Sequence, residues 1–202
     1  MIDAKQIFGN IDIYLFDQIL KDRFLPNSKI LDVGCGGGRN LVYFLQNDFD
    51  VYAVDPNPEV VQIVKNLAHH FAPNLSQDNF QVSNAEKMPF ESDYFDTIIC
   101  SAVLHFAENE DHFYSMFDEM WRVLKKGGIF FARLASTIGI ENKIQQIDDG
   151  RFLLPDSSEP FWVEEEVLRS RTEKVGGTFL EPIKTTNVQN LRCMTTWILQ
   201  KS

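Results

Sequence analysis

The sequence predicts an α/β fold in which a mostly parallel sheet carries helices on both faces. Three observations predict it. An apolar run, Lys29 to Val33, has the aliphatic and β-branched character of a buried parallel strand. It stops at four glycines among residues 34–38, after which Leu41, Phe44 and Leu45 fall at helical spacing. Short apolar runs then alternate with amphipathic helical stretches along the rest of the 202 residues, with no internal repeat. That alternation is the pattern of a doubly wound sheet.

The elements follow in order. Ile11 to Leu25 reads as a leading helix within residues 1–26, with Ile11, Leu15, Ile19 and Leu20 inward, ended by Pro26-Asn27. Plain packing is the expectation for Tyr14 and Phe16 on this helix. After the first strand, the glycine-rich loop is expected to open directly onto a helix reaching about Gln46. Amides and the positive end of the helix dipole would gather there. Val51 to Val54 is a second buried strand, ended by Asp55. Pro56-Asn57-Pro58 then starts a helix with Val60, Val61, Val64, Leu67, Ala68 and Phe71 on one stripe. His69 and His70 point apart as helical neighbours, which disfavours a metal pair. Asn79 to Val82 and Asp96 to Cys100 are the third and fourth strands. Asn109 to Leu124 is a helix whose stripe of Phe113, Met116, Phe117, Met120 and Trp121 reads as core, closed by Lys125-Lys126-Gly127-Gly128. Ile129 to Leu134 is the fifth strand. Residues 137–160 show weak periodicity and read as a substrate-side loop. A helix from Val163 to Lys174 and two final strands, Thr178 to Pro182 and Arg192 to Leu199, complete a single domain over 1–202.

Composition narrows the function. Net charge is −10, and no basic cluster exceeds Lys125-Lys126. Phosphate neutralisation needs a basic face, so nucleic acid is a poor partner and a small molecule is favoured. Cys35, Cys100 and Cys193 are widely spaced with no C-x-x-C pair, which suggests neither a disulfide framework nor a metal site. The first ten residues lack the apolar core of a signal peptide, and no run approaches membrane-spanning length. The expectation is therefore a cytoplasmic protein with no membrane partner.

Ligand chemistry is concentrated at strand ends. Gly34, Asp55, Asn84 and Ser101 each follow a strand, so four loops converge on the crevice where doubly wound sheets bind ligands. Asp55, 19 positions beyond Gly36, suits a ribose diol because one carboxylate accepts two hydrogen bonds. The loop lacks the third glycine of G-x-G-x-x-G: that place is Arg39 counting from Gly34, or Leu41 counting from Gly36.

Asp32-Val33-Gly34-Cys35-Gly36 resembles motif I of the class I S-adenosylmethionine-dependent methyltransferases. Asn84 to Phe90 followed by Phe95-Asp96 resembles a second segment of that family, with Asn84 where the family carries an acidic residue. Trp121 to Phe131 resembles a third. The resemblance implies a Rossmann-like, seven-stranded, mostly parallel sheet with one antiparallel strand, and S-adenosylmethionine as cofactor. It implies contacts from Asp32, Gly34, Cys35, Gly36, Arg39, Asn40, Asp55, Pro56, Asn84, Ala85, Glu86 and Ser101, with Met88 packing on the adenine ring. More narrowly, Gly38-Arg39-Asn40, Phe161 to Leu168, and Leu191-Arg192 with Thr195 and Leu199 resemble the tellurite-resistance methyltransferases. Those methylate chalcogen oxyanions or thiol-type nucleophiles. His105 is then the one histidine placed to act as a base, and Arg133 and Arg192 the cations placed to hold an anionic acceptor. The alternatives are a nicotinamide-dependent oxidoreductase, which the missing glycine disfavours, and a non-catalytic cofactor-binding member.

Overall fold

A computed structural model describes residues 3–148, 151–153 and 161–202. Two short helices lead, α1 (Ala4–Phe8), which was not expected, and α2 (Ile13–Leu20), which stops short of Leu25. Asp12 starts α2, because its carboxylate accepts from the Tyr14 amide and caps the helix. Leu15 is inward as expected, but Leu20 is exposed. The chain continues through β1 (Lys29–Val33), α3 (Val42–Gln46), β2 (Asp50–Asp55), α4 (Pro58–Phe71), β3 (Phe80–Val82), β4 (Phe95–Ser101), α5 (Glu110–Val123) and β5 (Leu124–Ala135). It ends with β6 (Gln145–Asp148), β7 (Arg151–Leu153), α6 (Glu165–Lys174), β8 (Gly177–Phe179), β9 (Lys184–Val188) and β10 (Arg192–Lys201).

The main sheet has the order β3-β2-β1-β4-β5-β10-β8, with β9 also pairing β10. Pairs from β3 to β5 are parallel, and β10 runs antiparallel to β5, β8 and β9. The expected seven-position sheet is present, with its edge position shared by β8 and β9. Pro182 lies in the gap between them, and a residue without an N–H cannot continue a ladder that needs donors. Lys125 to Gly128 does not close α5 as a cap. Leu124 is already extended and this stretch belongs to β5.

Side chains alternate across the sheet as the two-residue strand period requires. Ile98, Phe130, Trp197 and Leu199 face α5 and α6, where Phe113, Phe117, Met120 and Leu168 meet them. Ile99, Phe131 and Ile198 face the other side, with Leu15, Phe44, Val61 and Val64. The Trp197 ring stacks on Phe117 at 4.9 Å, and its indole N–H donates to Thr172 at 3.0 Å. Two apolar layers therefore clamp the sheet and leave its carboxyl edge as the place for chemistry.

The described part of residues 137–160 carries more regular structure than its sequence suggests. β6 and β7 pair antiparallel, and Phe152 packs with Ala135, Ile140, Trp162 and Cys193. Residues 149–150 and 154–160 of that expected loop lie outside the described residues.

Candidate active site

The glycine loop does not open directly onto a helix. Gly38 donates to the Cys35 carbonyl and Leu41 to Gly38, making two turns before the five-residue α3 begins. The loop is thus a backbone cradle rather than a dipole site. Gly34 has φ +67° and Gly36 φ +50°, in the left-handed region that glycine adopts without Cβ strain. Their surroundings differ. A Cβ on Gly34 would meet Val103 Cγ2 at 2.4 Å, whereas one on Gly36 would meet nothing within 4 Å. Gly34 is needed for close packing and Gly36 faces open space.

That space is a cavity of about 620 Å³ at the carboxyl edge of the sheet. Gly34 and Gly36 line it after β1, Asp55 and Pro56 after β2, residues 83–86 after β3, and Ala102 and Val103 after β4. Asp55 is oriented before any ligand arrives. One carboxylate oxygen accepts the Gly36 amide at 3.1 Å and the other the Asn57 amide at 3.0 Å. Asn84 is exposed, and its side-chain amide makes no hydrogen bond among the described residues. Met88 is corrected to a core residue, only 4% exposed and absent from the lining.

Seven lining residues were not anticipated: Ser83, Ala102 and Val103 in the strand-end loops, and four further along the chain. Phe106 is 73% exposed at the mouth, and Met116 closes the floor from α5. His112 also lines the cavity, with Nε2 3.6 Å from a Glu86 carboxylate oxygen and Nδ1 accepting the Glu108 amide. Glu108 contributes from the same turn. A signal existed for Phe106, a large aromatic just after β4. The others gave none, because Glu108 and His112 look like solvated surface and Met116 reads as part of the core stripe. Ala102 has φ +66°, strained for a residue with a Cβ, and its amide donates to the Arg133 carbonyl at 2.7 Å.

Behind the cavity the chain buries charge. Asp32 is 1% exposed, and its Oδ2 has no hydrogen-bond partner. Burial pushes its carboxyl up to about 7, the nearby Arg39 pulls it down and Asp55 pushes it up. Cys35 is buried against the same groups, and burial holds its thiol well above the ordinary range, so it is no nucleophile. Asn40 is 3% exposed and accepts the Asp12 amide at 3.0 Å. Its position tethers the leading segment to the loop. Arg39 donates to Ser101 Oγ at 3.0 Å, and Ser101 Oγ donates to Asp12 at 3.3 Å.

The three residues expected on the acceptor side gather at the ends of β4, β5 and β10. Arg133 donates to Asp12 at 2.8 Å and lies over the Tyr14 ring at 5.1 Å. Tyr14 in turn shares a 2.5 Å hydrogen bond with Thr186, so it joins α2 to β9. His105 Nδ1 accepts the Ala135 amide at 3.3 Å. Burial, and then the charge of Arg192, lowers its pKa, so the ring is neutral near pH 7. Because Nδ1 accepts, the proton of the neutral ring sits on Nε2.

These residues fit S-adenosylmethionine chemically. A carboxylate held at a strand end suits a ribose diol, and an unpartnered buried carboxyl suits the cationic part of an amino-acid sulfonium. Open space over Gly36 admits the ligand against the backbone.

Comparison with known proteins agrees. Residues 31–132 match the family described as "Methyltransferase domain". An uncharacterized methyltransferase of Synechocystis is 33% identical over 105 residues, covering 52% of this chain and 46% of that protein. The chain spans less than half the length of the curated relatives it matches first. A methyltransferase structure from Methanosarcina mazei superposes with a TM-score of 0.70 at 20% identity, over 91% of this chain and 96% of that one. The Burkholderia thailandensis 1,6-didemethyltoxoflavin-N1-methyltransferase, solved with S-adenosylhomocysteine, gives 0.67 at 15% identity, over 99% and 81%. At such identities these two speak for the fold alone. With the family match spanning the cradle and the cavity, the chain belongs to the S-adenosylmethionine-dependent methyltransferase family.

Proposed function

We propose that this chain transfers the methyl group of S-adenosylmethionine to a small-molecule acceptor. The observation that carries the reading is the cavity in which the Gly34–Gly36 backbone, the pre-oriented Asp55 and the Asn84 amide converge from separate loops. In this reading Asp55 and Pro56 hold the ribose, Asn84, Ala85 and Glu86 hold the adenine, and Gly34 and Gly36 form the wall at the methionine end, with Asp32 and Cys35 buried behind it. Arg39, Asn40 and Ser101 brace that wall from behind through Asp12. The cofactor supplies a methyl group already activated by its sulfonium, so the chain contributes positioning and exclusion of water.

The acceptor that fits best needs no base, which favours a thiol-type nucleophile or a chalcogen oxyanion. His105 supports this: its Nδ1 is taken by the Ala135 amide, so the ring offers a donor and no free lone pair. Arg133 and Arg192 supply positive charge on the same side. Calorimetry with S-adenosylhomocysteine and with NADH tests the cofactor assignment, and tight binding of NADH alone would replace it with an oxidoreductase. Release of S-adenosylhomocysteine from S-adenosylmethionine with selenite or tellurite plus thiol tests the acceptor. Binding without release from any acceptor in a screen would leave a non-catalytic member.

A further inference from the structure

We propose that Asp12, Arg39 and Arg133 form a built anion subsite, and that it seats a carboxylate or oxyanion of the methyl acceptor. The inference rests on the methyltransferase reading and deepens it. Asp12 Oδ2 is the hub. It meets Arg133 Nη1 at 2.8 Å, Ser101 Oγ at 3.3 Å and Arg39 Nη2 at 3.6 Å, and its side chain is fully buried. Among the described residues it is the only carboxylate within 4 Å of either guanidinium.

One carboxylate thus faces two guanidiniums. Arg133 uses one of its five N–H donors on Asp12, and Arg39 gives one to Ser101. Arg133 Nε is buried with no partner, while the side chain as a whole stays 21% exposed. Tyr14 covers one face of that guanidinium, so its free edge is held in one orientation. A planar fork so fixed is the geometry that recognises carboxylates and oxyanions.

Position selects the acceptor over the cofactor as the source of the anion. The cavity assigned to the cofactor is lined from the ends of β1, β2, β3 and β4, and Arg133 is not among its lining residues. Arg133 lies on the opposite flank, on β5, paired with Thr196 of β10 and on the same face as the Tyr14–Thr186 bond. Asp12 acts there as a positioning residue, aiming both arginines without itself meeting the anion.

The test is the guanidinium Nε–Hε spectrum of ¹⁵N-arginine-labelled protein, with and without S-adenosylhomocysteine. Arg133 is assigned by the signal that disappears in Arg133→Lys. Selenite and acetate are titrated, with acetamide as the neutral control. We expect the Arg133 signal to move with both anions and not with acetamide. Arg133→Met is expected to weaken selenite binding at least tenfold while S-adenosylhomocysteine affinity stays within twofold, which also shows that the variant folds. Arg133→Lys, which keeps Asp12 paired, is expected to lose less than Arg133→Met. An Arg133 signal that ignores both anions overturns the proposal. So does one that S-adenosylhomocysteine alone moves and its decarboxylated analogue, S-adenosyl-3-thiopropylamine, does not, since the anion is then the cofactor's own. Failure of S-adenosylhomocysteine to bind would sink the methyltransferase reading, while the ligand-free titration would still decide the subsite.

Discussion

Asp32 shows how a single buried oxygen translates into pH dependence. An unfolded carboxyl releases its proton near pH 4, whereas burial holds the native one to about 7. Between those values the native state binds a proton that the unfolded state has lost, so this residue makes stability fall as pH rises. Asp32→Asn removes the titration. Urea unfolding of the ligand-free protein is expected to show the wild type losing about 2–3 kcal/mol relative to this variant between pH 5 and pH 8. An unchanged difference would mean the native carboxyl is already ionised at pH 5. Asp55 makes the complementary case. Its carboxylate orients the Gly36 and Asn57 amides and is the proposed ribose acceptor. Asp55→Ala is expected to weaken S-adenosylhomocysteine roughly ten- to a hundredfold by calorimetry, the range of one or two charge-assisted hydrogen bonds.

At the scale of the element, the glycine loop separates folding from binding. Gly34→Ala adds a methyl that collides with Val103 in an element packed against the core, at a positive φ. Its unfolding midpoint is expected to drop by the equivalent of about 1–3 kcal/mol. Gly36→Ala meets open space, so its stability should fall by only about 1 kcal/mol, the cost of the left-handed backbone. Its methyl projects towards the proposed ligand, and S-adenosylhomocysteine binding is expected to suffer more than in a variant of equal stability elsewhere. Thermal unfolding with and without ligand distinguishes the two patterns. This loop, the strands around it and Asp55 were legible in the sequence because each is a local signal: an apolar run, a glycine cluster, a carboxylate at a run's end. Asp12 was not legible. Its partners Ser101 and Arg133 lie 89 and 121 residues away, and a lone aspartate in a leading segment looks like any surface charge. The hairpin of β6 and β7 was hidden for a related reason, since its short strands show no clear alternation and it packs through Phe152 alone among the side chains described there.

At the scale of the whole molecule, the leading segment and the last strands are tied together by charge. Glu181, between β8 and β9, accepts from Lys184, Lys21 and Gln18, with Arg23 at 3.3 Å. Burial would raise this carboxyl, but the lysine and glutamine donors outweigh it and hold it down at about 2. A depressed native pKa contributes stability above the unfolded value near 4.5 that is lost as pH falls towards 2. Glu181→Gln is therefore expected to cost about 1–2 kcal/mol at pH 7 and little at pH 2.5, the reverse of the Asp32 trend. Hydrogen exchange of the α2 amides should rise in the variant at neutral pH, and unchanged exchange would mean that α2 is held by its apolar face alone. Of the described helices, none is long and apolar enough to cross a membrane.

The antiparallel course of β10 has one more consequence. β9 brings the chain back to the carboxyl edge and β10 starts from it, so that edge is assembled from two sources. The proposed cofactor cavity is lined by residues 34–116, whereas the opposite flank is built from Asp12, Tyr14, Arg133 and Thr186. The family match ends at 132, one residue before that flank's arginine. If the proposed division holds, a chimera in which another methyltransferase supplies the segment corresponding to residues 133–202 is expected to change which acceptor is methylated while calorimetry shows S-adenosylhomocysteine affinity little altered.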